Sequence, residues 1–354
     1  MIHFQPARMT VQWHITHACN LRCQHCYQAS YTGAKNNFAE LRQTADRILS
    51  FHQRLAPAPL LITLTGGEPF AHPNFIELLD YLVDRPEPPN LAVLTNGTLL
   101  NERRIAALRR VNPTFVQLSV DGGQSTHDAI RGEGNFDRVL AASRQLKAQG
   151  VRVLWSFTAH RRNAQEFAEV EKAAQRIGID RLWVDRMIPC KQSQPDALGI
   201  AETQALFADM QRIKRQREQP TFIRRIVQRL HSPPKTEVAM KRALQFLWSA
   251  GEPYRCLAGE RLLTIMPDGE VLPCRRMPVS VGNLYQSDLD DIYQNSPFLQ
   301  QLRAFRHPSA CSQCLFKNQC RGGLRCLAWA QTGNPFSADP GCPLVNRGKG
   351  SGSV

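Results

Sequence analysis

TVQWHITHACNLRCQHCY, residues 10–27, carries a strand and a metal loop in one stretch. TVQWHIT (10–16) is rich enough in β-branched and aromatic residues to be a strand. Directly behind it, Cys19, Cys23 and Cys26 are spaced C-x3-C-x2-C. Three thiolates on one short loop can hold three irons of a [4Fe–4S] cluster and leave the fourth iron open. Ordinary ferredoxin sites fill all four positions with cysteine. Zinc loops favour C-x2-C pairs with a second pair further on, so this spacing points to a cluster.

Outward from this loop, further apolar runs follow at LLITLT (60–65), LAVLT (91–95), FVQLSV (115–120), VRVLWSFT (151–158) and RLWVDRM (181–187). Most are bounded by Gly, Asn or Pro, as buried parallel strands are. Helix-like segments lie between them at 38–54, 74–84, 101–110, 135–149 and 163–177. Several of the strands recur about one βαβ unit apart. The pattern predicts an α/β fold, a partial (β/α)6 TIM-type barrel over residues 1–200, with chemistry on the loops after the C-terminal strand ends. Residues 201–250 read as a basic helical connector, with Arg212, Lys214, Arg215, Arg217, Arg224, Arg225 and Arg229 close together and Pro233-Pro234 splitting it into two helices. Residues 251–346 read as a C-terminal cysteine-rich Fe–S domain, and 347–354 as a flexible tail.

The chain has 354 residues, 42% of them hydrophobic and 21% charged, which permits a buried core and argues against wholesale disorder. It has no run of eighteen apolar residues, so no transmembrane helix is predicted. The first residues lack the apolar core of a secretory signal, and the expected location is the cytoplasm. In a reducing compartment, eleven cysteines point to metal rather than disulfides. The net charge of +14 suits an acidic partner or a basic solvated surface.

With these motifs the chain resembles the radical S-adenosylmethionine (SAM) enzymes. The cysteine loop reads CNLRCQHCY, and Gly66-Gly67-Glu68-Pro69 follows the second strand. In the family that turn binds the methionine amino group of SAM. Glycines let the backbone approach, and a carboxylate suits an ammonium. TNGT (95–98) follows the third strand and SVDG (119–122) the fourth, with HDAIRG supplying Arg131. The resemblance implies that Ser119 and Arg131 contact the SAM ribose and carboxylate, that His25 lies near the adenine and that Met187 offers it a backbone contact. Asn96 and Asp121 are further candidates, although Asn-Gly and Asp-Gly are also plain turn signals. The implied chemistry is one-electron cleavage of SAM to a 5′-deoxyadenosyl radical, which abstracts hydrogen from a substrate C–H bond. An electron donor such as flavodoxin or ferredoxin is implied as a partner.

The second cysteine set resembles the SPASM extension, which carries two auxiliary [4Fe–4S] clusters. By that likeness Cys256, Cys274 and Cys326 serve the first, and Cys311, Cys314, Cys320 and Cys342 the second. The run departs from the family with x5 in place of x3 before Cys326, and residue 262 is Leu where sulfatase maturases have a further cysteine. Either one auxiliary iron is open or Cys190 moves in. Arg275, followed by Arg276, stands where those maturases have a basic Asp. Arginine cannot accept a proton, so formylglycine formation is disfavoured, and a carboxylate-bearing substrate is suggested instead. The leading expectation is modification of a ribosomally made peptide. Because the cysteine loop is reached by residue 19, leaving no room for an N-terminal recognition domain, a separate peptide-recognition protein is a possible partner. The alternative is tetrapyrrole modification of the haem-pathway kind. Outside enzymology stands a zinc nucleic-acid-binding protein, which leaves the glycine turn and the strand-end motifs unexplained.

Overall fold

A computed structural model describes residues 4–28, 30–32, 36–55, 58–190, 193–218 and 236–345. Six parallel strands run β1 (Met9–His14), β2 (Leu60–Thr65), β3 (Asn90–Thr95), β4 (Phe115–Ser119), β5 (Val153–Ala159) and β6 (Arg181–Arg186), paired in chain order. Between them lie α1 (Phe38–Arg54), α2 (Phe75–Val83), α3 (Glu102–Val111), α4 (Gln124–Arg131), α5 (Asn135–Ala148) and α6 (Phe167–Ile177). Asn37 and Glu40 form a capping box that fixes the start of α1. Asn101 caps α3, and Asn112 ends it in the left-handed conformation. The sequence pattern misses α4, an eight-residue helix hemmed by Gly123 and Gly132.

Beyond the barrel, the structure corrects two expectations. α7 (Ile200–Glu218) fits the expected basic helix, but Glu237–Ala239, expected to be helical, form strand β7 alongside β6. A short α8 (Phe246–Ser249) comes next. Arg224, Arg225, Arg229, the Pro233-Pro234 break and the 347–354 tail lie outside the described residues. The cysteine-rich part also joins the main sheet. β8 (Leu262–Ile265) pairs in parallel with β1, and β9 (Glu270–Leu272) and β10 (Gly282–Asn283) extend it antiparallel. The result is one ten-stranded open sheet, order β10-β9-β8-β1-β2-β3-β4-β5-β6-β7. Helices α9 (Leu289–Asn295), α10 (Pro297–Ala304), α11 (Lys317–Cys320) and α12 (Arg325–Thr332) complete the chain.

Strand register separates two walls. Val11, Trp13, Ile62, Leu64, Val116, Leu118, Leu182 and Val184 sit in the core shared with the helices. The alternate positions face the other way and are largely polar: Gln12 pairs with Thr63 and Thr264, His14 with Thr65, Ser119 with Ser156, Ser156 with Trp183, and Thr158 with Asp185. Parallel strands covered by apolar layers on both faces lack such alternation. Here the inner wall is built for polar contacts.

Candidate active site

The cysteine loop leaves β1 and is pinned by the turn after β2. Gly67 N–H donates to Thr16 O and Glu68 N–H to Ala18 O, both at 2.8 Å. This approach requires glycine. A Cβ on Gly66 would meet Thr16 O at 2.4 Å, and one on Gly67 would meet Ala18 O at 2.2 Å. All three thiols are free, and each receives a hydrogen bond. Leu21 N–H donates to Cys19 Sγ and Gln28 N–H to Cys26 Sγ, both at 3.4 Å, while Arg131 Nη1 donates to Cys23 Sγ at 3.7 Å. These donors favour the thiolate form, but burial outweighs them, raising the Cys19 thiol to about 11 and the Cys23 thiol above its ordinary value, so deprotonation would fall to the bound metal. The loop therefore fits a cluster ligated by Cys19, Cys23 and Cys26. Among the described residues no three His, Cys, Asp or Glu side chains sit at the spacing of a single ion. A four-iron cube spreads its ligands wider than one ion does.

Glu68 is bonded to the protein around it. It is fully buried, and its carboxylate accepts from Phe70 N–H (3.1 Å), Thr95 Oγ1 (2.7 Å) and Asn96 N–H (2.8 Å). It ties the glycine turn to the end of β3, leaving the Gly66–Gly67 backbone as the surface a ligand can approach. Burial outweighs these three donors and raises its pKa to about 7. Asn96 is held to the cysteine loop by Nδ2–H donation to Asn20 Oδ1 at 3.0 Å. Ser119 ends β4 on the inner wall.

Asp121, just past β4, gathers the next group. It accepts from Arg131 Nε (2.6 Å), pairs with His25 Nε2 (2.9 Å) and accepts from Thr158 N–H (2.8 Å). Burial alone would raise its pKa, but Arg131 and His25 hold it well below the carboxylate range. Arg131 thus bridges Asp121 and the Cys23 thiol. His25 is buried edge-to-face with His160, ring centroids 5.8 Å apart, and its Nδ1 has no partner among the described residues. Met187 N–H is spent on Ala159 O, which leaves its carbonyl for any contact to adenine.

The cysteines of the second set influence one another in two neighbourhoods. Burial raises the Cys274 and Cys326 thiols, and the Cys256 thiol adds to both. Burial also raises Cys311 to about 11, with Cys342 and Cys314 adding, and Cys320 to about 12, with Cys342 among its neighbours. Desolvated thiols crowded in this way are readily deprotonated by a metal centre. Cys190 meets Ser193 Oγ at 3.1 Å within its own loop.

Arg275 and Arg276 part company. Arg276 pairs with buried Asp185 at 3.0 Å, and Arg242 pairs with the same carboxylate at 3.0 Å. The Arg275 guanidinium lies over the Tyr27 ring, 5.1 Å from its centroid, and its Nε is buried without a partner among the described residues. Tyr27 is exposed, and the charges acting on its hydroxyl are those of Arg276 and Arg275 first, then Cys26 of the first loop and Cys274 of the second set. Sequence reading missed Asp185, Arg242 and Tyr27. Asp185 and Tyr27 each sit one or two positions from a residue it had singled out, Met187 and Cys26, and strand alternation places Asp185 on the inner wall.

Residues 13–175 match the Radical SAM superfamily, and residues 256–315 match the SPASM iron–sulfur cluster-binding domain. The AdoMet-dependent heme synthase of Methanosarcina barkeri is 28% identical over 97% of this chain and 98% of its own. The PqqA peptide cyclase of Gluconobacter oxydans is 28% identical over 95% of this chain and 90% of its own. Among solved structures, native anSMEcpe with bound AdoMet and Kp18Cys peptide superposes with a TM-score of 0.74 at 17% identity, covering 95% of this chain and 94% of that one, a likeness of fold.

Proposed function

We propose, from the premise that this chain belongs to the radical SAM superfamily and carries a SPASM domain, that it modifies a ribosomally made peptide by hydrogen abstraction. It is an iron–sulfur enzyme that uses SAM. A [4Fe–4S] cluster with SAM supplies one-electron cleavage to a 5′-deoxyadenosyl radical. The protein's own share is to fix the cysteine loop under the Gly66-Gly67 backbone and to aim N–H donors at its thiolates. It also opens that loop onto a polar lumen flanked by the second cysteine set. This last arrangement is the observation that carries the reading. The peptide assignment draws on relatives such as the PqqA peptide cyclase. A flavodoxin or ferredoxin as electron donor, a separate peptide-recognition protein and a cytoplasmic location belong to the same proposal. Among the described residues no helix is long and apolar enough to cross a membrane.

A second reading, tetrapyrrole modification, is favoured by the heme synthase relative, matched over 98% of its length. Arg275 would meet a propionate there, whereas Arg276 is already held by Asp185. The basic-surface reading weakens on α7, because Arg217 turns inward to bind buried Glu171 bidentately at 2.9 and 2.8 Å.

The test is anaerobic reconstitution. The wild-type chain should bind about twelve irons, four per cluster. Replacing Cys19, Cys23 and Cys26 together by Ala should lower this to about eight and abolish 5′-deoxyadenosine formation. SAM cleavage undiminished in the triple variant would remove the basis of the proposal. Product formation with candidate precursor peptides, set against porphyrinogens, then separates the two substrate readings.

A further inference from the structure

Three polar atoms of the inner wall are buried with no hydrogen-bond partner among the described residues: His14 Nε2 on β1, Gln117 Oε1 on β4 and Trp183 Nε1 on β6. His14 is 3% exposed and Gln117 8%. All three occupy lumen-facing positions, because their neighbours Trp13, Val116, Leu118, Leu182 and Val184 lie in the core under the helices. Register sets their heights. His14 is level with Thr65 at the rim of the glycine turn, and Trp183 is level with Ser156 and with Ser119, a candidate neighbour of the cofactor. Gln117 lies one inward step below Ser119. A fourth such atom, Arg275 Nε, comes from the loop after β9, whose backbone is anchored by Arg275 N–H donation to Thr264 Oγ1 at 3.0 Å.

Buried polar groups are ordinarily paired, and one left unpaired costs stability. Three on one wall and a fourth from the loop after β9 mark a place, beside the proposed radical site, where something else completes the bonds. Trp183 and Arg275 can only donate, and the Gln117 carbonyl can only accept. A carboxylate brings acceptors alone and could meet Gln117 only through Nε2–H with the side-chain amide turned over, away from the orientation in which Oε1 is the buried atom. An amide brings a C=O for the donors and an N–H for Gln117. The nearby charges are already balanced in part, since Asp185 is shared by Arg242 and Arg276.

We propose that Gln117, Trp183 and His14, with Arg275, form a substrate subsite that takes a peptide amide unit and holds its adjoining α-carbon toward the radical. This rests on the peptide reading above and specifies the group recognised. Gln117 and Trp183 are specificity residues in it.

The test uses reconstituted holoenzyme with SAM, dithionite and N-acetylglycinamide deuterated at the α-carbon. Abstraction breaks the α-carbon–deuterium bond and forms a carbon–deuterium bond at the 5′ carbon of deoxyadenosine. The α-carbon radical that remains is reduced by one electron from dithionite and a solvent proton. The readout is the deuterated fraction of the 5′-deoxyadenosine. It should rise and saturate with probe in the wild type, and fall about tenfold or more in Gln117→Leu and in Trp183→Phe. Fully N-methylated N-acetylsarcosine dimethylamide, deuterated at the same carbon, has no N–H and should give no saturable transfer, a control independent of any variant's folding. Gln117→Leu should keep or raise the thermal midpoint, because the amide oxygen removed has no protein partner, whereas Trp183→Phe also takes away ring surface under the Arg242 guanidinium, 4.3 Å from the ring centroid, and should lower it slightly. Transfer equal in wild type and variants, transfer that never saturates, or equal transfer from the N-methylated probe would overturn the subsite. A lowered midpoint with unchanged transfer would assign these atoms a structural role and overturn it too. Failure to form any 5′-deoxyadenosine would instead strike at the radical reading.

Discussion

At the scale of single residues, Asp121 and Glu68 are two fully buried carboxylates with opposite electrostatics. Arg131 and His25 reverse the effect of burial on Asp121, so its folded pKa is depressed and its stabilisation is present above the unfolded value and lost only as pH falls into strong acid. Asp121→Asn leaves Arg131 buried against the cysteine loop without its counter-charge. The expected cost is about 3–5 kcal/mol, measured by chemical denaturation of the apoprotein. Glu68 has burial as its dominant influence and a folded pKa of about 7, above the ordinary value of 4.5. The native state then binds more protons than the unfolded chain between those values, so the Glu68 contribution declines as pH rises from 4.5 to about 7 and is flat beyond. Thermal midpoints of wild type and Glu68→Gln across that range should show the wild type losing ground to the variant. A difference independent of pH would show that Glu68 ionises normally.

At the scale of elements, the turn after β2 and the loop after β1 form one unit, because the two glycines admit the carbonyls of Thr16 and Ala18. Gly67→Ala places a methyl carbon against Ala18 O, a backbone atom that cannot swing aside, and displaces Cys19 one residue later. Iron analysis should fall from about twelve to about eight per chain with SAM cleavage lost, the auxiliary clusters remaining. Full iron content in that variant would show that the loop tolerates the shift. The pairing of these two loops was legible in the sequence because the glycine turn and the cysteine spacing are local patterns. The barrel strands were legible too, since β1 to β6 are long apolar runs between turn residues. β7 was not: three residues, Glu237–Ala239, carry too little periodicity to announce a strand, and β6 makes them one. The polar inner wall went unread for a different reason. Reading the runs as buried on both faces hid the alternation of Gln12, His14, Thr63, Thr65, Gln117 and Ser119, which is period two in plain view.

At the scale of the whole molecule, the cysteine-rich part is joined to the barrel by more than the chain. β8 adds to β1, and at the far side Arg186, at the end of β6, binds Asp339 bidentately at 2.9 and 2.6 Å with both side chains buried. Asp339 also accepts from Leu324 N–H at 3.0 Å and Gly341 N–H at 2.9 Å, and its backbone carbonyl accepts from Cys342 N–H. One carboxylate therefore orders the approach to Cys326, in the first auxiliary group, and to Cys342, in the second. No local motif marks it, because its partners lie 153 and 15 residues away in the chain and meet only when the sheet is complete. Asp339→Asn keeps size and shape but removes the charge opposite Arg186. Breaking one side of such a buried pair costs about 3–5 kcal/mol. If these segments hold the auxiliary ligands, as proposed, iron should drop toward about four per chain. The first cluster depends on β1, β2 and the cysteine loop, which Asp339 does not touch, so 5′-deoxyadenosine formation per remaining cluster should persist while turnover of any substrate fails. Arg186→Lys retains the charge without the planar fork and should cost less. Equal iron content in wild type and Asp339→Asn, with an unchanged unfolding midpoint, would show that β8 alone carries the junction.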